Sequence, residues 1–377
     1  MLIYYKAFLF AAAVSALLTP LAIKIAPKIG AMDVPKDGRR MHDHPIPRFG
    51  GICIFIGMVT AILVFVPRTE GLVGGTQVAG FIVGAAMIVV LGLIDDLHSL
   101  PAKVKLAGQI VCAIVPCFFS VRVYGISNFF KGGGEYFVFP EWFSVIVTIF
   151  WIVGITNTIN LIDGLDGLAA GVSCISCIAV AYTSFLAGRP ETCQLVLSIA
   201  GAAFGFLLFN FHPAKIFMGD AGSMLLGYSL ATMSLIGVSS TKGTVLFVSF
   251  IPVIILALPI FDTSFAILRR MANHRPIMSP DKGHLHHRIM ALGFGQRRTV
   301  LALYCISAIM GIAGILWTMR MRLEAFILAV IGATLIFVFL GIGFKDGKPV
   351  FTDPAPTAPE PEKAETVEAD SETNQNV

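Results

Sequence analysis

The chain is 377 residues long, 56% hydrophobic and only 13% charged, with a mean hydropathy of +0.82. Soluble domains carry about a quarter charged residues, so this composition excludes a soluble enzyme, a nucleic-acid-binding module and a disordered protein, and places the chain in a bilayer. The net charge of +4 conceals a split: residues 346–377 hold eight acids and two bases, so the positive surplus lies in residues 1–345.

Apolar stretches long enough to cross ~30 Å of hydrocarbon recur along the chain. Eleven are predicted, at 4–26, 49–67, 78–95, 103–121, 143–160, 167–187, 194–211, 221–239, 244–268, 299–318 and 324–344. The expected fold is therefore an all-α, polytopic membrane bundle of about eleven transmembrane helices. The first stretch lacks a strongly basic flank and a small-residue cleavage site, so it is expected to be a span and not a cleaved signal peptide. With the C-terminus inside, 19 of the 27 Lys and Arg fall on the cytoplasmic side, which predicts an outside N-terminus and a cytoplasmic C-terminus. Two regions follow: an integral-membrane domain at 1–345 and an acidic, Pro-rich disordered tail at 346–377. The seven cysteines sit almost entirely in apolar runs, and Cys174-x-x-Cys177 within one of them reads as a packing face.

Under this topology all ten aspartates of residues 1–345 fall at cytoplasmic ends or loops, among them Asp33, Asp37, Asp43 and Asp281. All five glutamates of that region fall outside. Asp95-Asp96 closes the third stretch; adjacent carboxylates repel, so a base, a metal ligand or both is expected there over a bare marker of the water interface. Next comes Asn157-Thr158-Ile159-Asn160-Leu161-Ile162-Asp163-Gly164-Leu165-Asp166-Gly167. Its Asn157, Asn160 and Asp163 share one helix face by i,i+3 spacing, and its glycines admit a turn and a close ligand. In Asn210-Phe211-His212-Pro213-Ala214-Lys215-Ile216-Phe217-Met218-Gly219-Asp220-Ala221-Gly222-Ser223, Pro213 ends one helix and Asp220 begins another. A carboxylate there either complements the helix dipole or offers a hard oxygen to Mg²⁺ beside glycines that admit phosphate. Phe217 is read evenly as a base-stacking ring or a membrane-interface aromatic. Asp262, about two turns before Arg269 and Arg270, is read as a buried pairing group or a site residue. The loop Ser279-Pro280-Asp281-Lys282-Gly283-His284-Leu285-His286-His287-Arg288 lacks the four ligands of a structural zinc site and reads as a partner for a phosphorylated ligand.

Aspartates, glycine turns and a basic His/Arg loop on one face of a bundle are equipment for displacement at phosphorus, with one soluble and one lipid-borne substrate. A CDP-alcohol phosphatidyltransferase motif begins at Asp166-Gly167-Leu168-Ala169-Ala170 but does not complete, because the next aspartate is Asp220. A transporter would place polar residues near mid-membrane in both halves, and here they crowd one face.

From about residue 35 to 344 the chain resembles the polyprenyl-phosphate N-acetylhexosamine-1-phosphate transferase family. The resemblance rests on His42…Pro45-Ile46-Pro47-Arg48-Phe49-Gly50-Gly51, Gly92-Leu93-Ile94-Asp95-Asp96, Asn160 to Gly167, Pro213…Phe217-Met218-Gly219-Asp220-Ala221-Gly222-Ser223 and His284-Leu285-His286-His287-Arg288, in that order. It implies Mg²⁺-dependent transfer (Mn²⁺ as a substitute) of a sugar-1-phosphate from a UDP-sugar to undecaprenyl phosphate, with release of UMP. By the same resemblance, Asp95 and Asp96 are the carboxylates at the acceptor phosphate, with Asp95 the favoured base. Asp220, with Asp95 and Asp163, would ligate the metal. Asn160, Asp163, Asp166, Asn210 and Phe217 would face the nucleotide sugar, and His284, His286, His287 and Arg288 its diphosphate or sugar.

The family's peptidoglycan branch, which takes UDP-MurNAc-pentapeptide, has a Thr-Pro-Thr-Met-Gly-Gly element and a His-His-His-Phe-Glu loop. This chain reads differently at both and looks like the GlcNAc-1-phosphate branch, which initiates O-antigen, enterobacterial common antigen or teichoic acid synthesis. Arg48 or His44 would replace the first branch's loop lysine. The implied partners are UDP-GlcNAc, undecaprenyl phosphate and membrane lipids, without nucleic acid; a homodimer is one assembly open to it. The implied location is the bacterial inner membrane, with the site on the cytoplasmic face.

Overall fold

The computed structural model describes residues 4–34, 44–66, 75–127, 136–236, 245–274, 276 and 283–341. Asp37, His42, Asp43, Glu70, Glu135, Asp281 and the whole acidic tail lie outside these residues. Among the described residues the chain is a helical bundle with two short hairpins, and it is a multi-pass membrane protein by helix length and composition. The helices are α1 (Tyr5–Ile25), α2 (Gly50–Phe65), α3 (Gly75–His98), α4 (Ala102–Phe118), α5 (Glu141–Ile162), α6 (Leu168–Leu186) and α7 (Pro190–Asn210). After them come α8 (Gly219–Ile236), α9 (Val245–Ile255), α10 (Ala257–Ala272), α11 (Leu285–Ala291), α12 (Gln296–Thr318) and α13 (Arg322–Gly341). The strands β1 (Met32–Asp33) and β2 (Ile46–Pro47) pair antiparallel, as do β3 (Gly125–Ser127) and β4 (Tyr136–Val138).

Within the described residues each of the eleven predicted stretches contains helix, but they are not equivalent. Among those residues seven helices (α1, α3, α5, α6, α7, α12 and α13) are long and apolar enough on their own to cross a membrane. Helices α2 and α4 are shorter, at 16 and 17 residues. The stretch at 244–268 is broken at Leu256 into α9 and α10. Pro259 explains the break: a proline ring clashes with the carbonyl four residues before it, and that carbonyl belongs to Ile255, the last residue of α9.

Helix α8 is the centre of the bundle. Every residue in it except Asp220 is buried, and it packs against α2, α3, α5, α6 and α7. Burial on all sides removes the need for a strongly apolar helix, and its serines and Thr232 bond back to the helix or to neighbours: Thr232 Oγ1 donates to the Tyr228 carbonyl at 2.7 Å. Around it, α1 lies close against α7 because Gly201 and Gly205 carry no side chain; a Cβ at either would come within 2.1–2.2 Å of the Phe8 and Ala12 carbonyl oxygens. Small residues four apart allow this backbone approach where lipid offers no hydrophobic drive to association.

Candidate active site

The strand β2 brings the Arg48 region to the start of α8. Phe217 N–H donates to the Pro47 carbonyl at 2.8 Å, and Gly50 and Gly51 N–H donate to the Phe217 and Met218 carbonyls at 3.0 and 2.9 Å. Gly219 follows with φ +70°, a conformation that favours glycine, and a Cβ there would also sit 2.4 Å from an Asp96 oxygen. The chain therefore turns into α8 directly beneath the carboxylates at the end of α3.

Five segments now meet. Asp220 Oδ1 accepts from Asn160 Nδ2 at 2.6 Å and lies 3.1 Å from Lys105 Nζ, while its Oδ2 takes Arg48 at 3.0 Å. Asp95 Oδ2 holds the same Lys105 at 2.8 Å, and its Oδ1 accepts the Leu100 N–H at 2.7 Å. Asp96 accepts the N–H groups of Asp220 and Ala221 at 2.8 and 3.1 Å and ion-pairs with Arg48 Nε at 2.9 Å. Asn160 completes the knot by donating to Ser223 Oγ at 2.8 Å and accepting from Lys105 at 3.3 Å. One turn earlier, Asn157 and Gln109 exchange amide hydrogen bonds at 2.7 and 3.2 Å, so α4 and α5 are joined by two polar rungs.

This knot forms one wall of a cavity of about 520 Å³. Nine expected residues line it: His44, Arg48, Asn160, Asp163, Asp166, Asn210, Phe217, Asp220 and His287. Asp95 and Asp96 lie behind the wall, where they hold Lys105 and Arg48. Asp166 is tied by His212 Nδ1 at 2.8 Å and the Ala214 N–H at 3.1 Å, and Asn210 clamps Gly167 N–H and the Ile216 carbonyl. Both thus shape the loops as well as lining the cavity.

The histidine loop divides by role. His287 faces the cavity. His286 is buried with neither ring nitrogen hydrogen-bonded, stacked on His284 and tilted against His287 with centroids 5.9 and 4.3 Å away. Burial first, and the neighbouring His287 next, push its pKa down to about 3, so it is neutral. Its Nε2 rests on Gly164, where a Cβ would approach to 2.5 Å. His284 bonds Asp262, and Arg288 bonds the carbonyls of Gly283 and Leu340.

Four cavity or wall residues escaped the sequence reading of the site. Lys105 carried a usable signal, a cation inside an apolar stretch. His212 lay within a motif already singled out; Asp33 and Gln296, which also line the cavity, had no local signal.

The electrostatics are lopsided. Among the described residues, Arg48 and Lys105 ion-pair with Asp95, Asp96 and Asp220, and Asp163 adds a fourth carboxylate beside them. Burial first, and the Asp220 charge after it, push the Asp163 pKa up to about 7. Burial alone would lower Arg48, but Asp96 and Asp220 more than reverse this and hold it above its ordinary value. Among the described residues no three His, Cys, Asp or Glu side chains form a ready metal cage. Hard oxygen donors in excess over cations, opening on a cavity of this size, nonetheless fit a Mg²⁺ that takes its remaining ligands from water and substrate.

Residues 78–238 match the glycosyl transferase family 4. A probable undecaprenyl-phosphate N-acetylglucosaminyl 1-phosphate transferase of Bacillus subtilis is 43% identical over 306 residues, 79% of this chain and 80% of the relative. The chain belongs to glycosyl transferase family 4. A second member of the family, the decaprenyl-phosphate N-acetylglucosaminephosphotransferase of Mycobacterium tuberculosis, is 36% identical over 302 residues, 74% of each chain. A phospho-N-acetylmuramoyl-pentapeptide-transferase of Oceanobacillus iheyensis is 31% identical over 321 residues, 80% of this chain and 94% of the relative. The family match covers the aspartate segments of α3, α5 and α8. Arg48, His287 and Gln296 reach the cavity from outside it.

Proposed function

We propose that this chain transfers GlcNAc-1-phosphate from UDP-GlcNAc to undecaprenyl phosphate, giving undecaprenyl-diphospho-GlcNAc and UMP at the cytoplasmic face of the bacterial inner membrane. The observation that carries this is the knot of Asp95, Asp96 and Asp220 around Arg48 and Lys105, opening through Asp163 and His287 into one cavity. The N-acetylglucosaminyl relatives of Bacillus and Mycobacterium, at 43% and 36% identity against 31% for the pentapeptide transferase, support GlcNAc as the sugar. In this reading all eleven apolar stretches cross the membrane, with the N-terminus outside and the C-terminus cytoplasmic.

An oxygen of the acceptor phosphate attacks the sugar-linked phosphorus of the donor; that P–O bond forms as the bond to UMP breaks. A phosphate monoester has its second pKa near about 6, so the acceptor arrives largely as the dianion and positioning dominates the barrier. For an acceptor monoanion Asp95 is the base the family resemblance implies, and taking that proton requires its Oδ2 to release Lys105. Lys105 and Arg48 draw the transferring phosphoryl oxygens to one point, and Asn160 and Asp96 keep both cations in place. His287 donates to the diphosphate or sugar from the opposite wall, and Phe217 stacks on the uracil. Asp163 and Asp220, which face the cavity, would hold Mg²⁺; Asp95 is turned towards Leu100 and Lys105. When bound, Mg²⁺ supplies neutralisation of the diphosphate and of the leaving UMP.

The test is release of UMP by the purified protein with Mg²⁺ and undecaprenyl phosphate, compared across UDP-GlcNAc, UDP-GalNAc and UDP-MurNAc-pentapeptide. UMP is expected with UDP-GlcNAc at a kcat/KM well above the other two. UMP from UDP-MurNAc-pentapeptide alone would overturn the assignment.

A further inference from the structure

Asp262 sits in the middle of α10, 3% exposed, with no place in the cavity wall. Its two oxygens both reach across to the histidine segment: Oδ1 accepts the Leu285 N–H at 2.7 Å, and Oδ2 lies 3.0 Å from His284 Nδ1. Two turns along the same helix, the buried Arg269 donates to the Gly283 carbonyl at 2.9 Å, and Arg288 Nε donates to that carbonyl at the same distance. A Cβ on Gly283 would meet the Arg269 guanidinium at 2.1 Å. Residues 283–285 are therefore held to α10 at two levels, with no room to shift.

Everything downstream of that clamp bears on the cavity. His286 stacks on His284, rests on Gly164 and packs at a tilt against His287, which lines the cavity together with Asp163 and Asp220. A buried, unpaired carboxylate is costly, so satisfying Asp262 requires Leu285 and His284 to stay where they are. We infer that Asp262 is a positioning residue for the transfer: by fixing His284 and the Leu285 amide it sets where His287 stands over the donor cavity. Asp262 touches neither substrate and acts through His287. The inference rests on the functional reading given above for the cavity.

The test is a double-mutant cycle on UMP release, paired with hydrogen exchange over residues 283–291 of the full-length protein in detergent. Asp262→Ala is expected to lower kcat/KM for UDP-GlcNAc by about 10- to 100-fold, the usual range for groups that orient a functional histidine. In a His287→Ala background the same change is expected to cost less than about twofold, because the residue it acts through is gone. Asp262→Asn, which keeps the oxygen for the Leu285 amide and a polar partner for His284, is expected to regain most of the loss. If Asp262→Ala does not fold, Asp262→Leu, which fills the same space without an acceptor, carries the cycle. Multiplicative losses in the cycle, or an Asp262→Ala rate within twofold of wild type, overturn the inference. A wild-type protein that releases no UMP from UDP-GlcNAc defeats the functional reading instead. The clamp is then read from exchange alone: protection of 283–291 lost in Asp262→Ala while α5 keeps its own supports it, and unchanged protection overturns it.

Discussion

Lys105 is the residue on which most of the wall converges. It touches Asp95 at 2.8 Å, Asp220 at 3.1 Å and Asn160 at 3.3 Å, so its ammonium joins α3, α4, α5 and α8 at one point. Removing it leaves two carboxylates facing each other in a poorly hydrated place and takes a fixed positive charge from the reacting phosphates. Lys105→Met, which keeps the aliphatic stem, is expected to lower kcat about 100- to 1,000-fold, the loss typical of deleting one preorganised transition-state donor. Steady-state UMP release measures it; a kcat within tenfold of wild type would remove Lys105 from the transfer. This residue also shows how the sequence can point and still be passed over. The stretch 103–121 reads as a span, and a lysine two residues inside its cytoplasmic end reads as a snorkelling anchor. What makes Lys105 a site residue is Asp220, 115 positions away, and no local period encodes that meeting.

At the level of elements, the start of α8 decides the geometry, and its cap comes from another helix. Ordinarily the first amides of a helix bond a side chain just before it. Here the residue before Asp220 is a glycine, and Asp96 at the end of α3 supplies both oxygens across 124 and 125 positions. The local pattern showed two adjacent carboxylates at the acceptor phosphate, and only the family resemblance favoured Asp95 as base and metal ligand. The structure separates them: Asp96 is 1% exposed and committed to α8 and Arg48, and Asp95 to Leu100 and Lys105. Asp96→Asn keeps the shape but can offer only one acceptor to two amides, and it cancels the charge paired with Arg48. It is expected to lower stability by about 1–2 kcal/mol, the range of a lost cap, in addition to its effect on turnover. Thermal unfolding in detergent measures this; an inactive variant with wild-type Tm would mean that Asp96 does not cap α8. Helices themselves were legible, because an apolar run in a bilayer has no other way to satisfy its backbone. The break at Leu256 was encoded by Pro259 but hidden by hydropathy, which does not distinguish proline from any other uncharged residue in a long window.

For the molecule as a whole, the central fact is an imbalance of charge held at one end of an apolar bundle. Ten aspartates were expected on one face, and the four that meet there are matched by two cations. The raised pKa of Asp163 expresses the same surplus, since burial and Asp220 both oppose its charge. A bundle of this kind is held together by packing elsewhere: Gly201 and Gly205 against α1, and the buried length of α8. In the proposed reading a divalent ion relieves that repulsion. Binding to the folded state alone raises stability by about 2.7 kcal/mol when the ion is at a hundred times its Kd. Mg²⁺ without donor or acceptor is therefore expected to raise Tm by on the order of 3–5 °C, and EDTA to reverse it. Asp163→Asn and Asp220→Asn should each abolish most of that rise, whatever they do to the starting Tm. NaCl at matched ionic strength should not reproduce it, because screening acts on exposed charges more than on this buried set. A Mg²⁺-induced shift that survives in both variants would place the ion elsewhere on the protein, and the absence of any shift in wild type would mean that the ion enters only with the diphosphate.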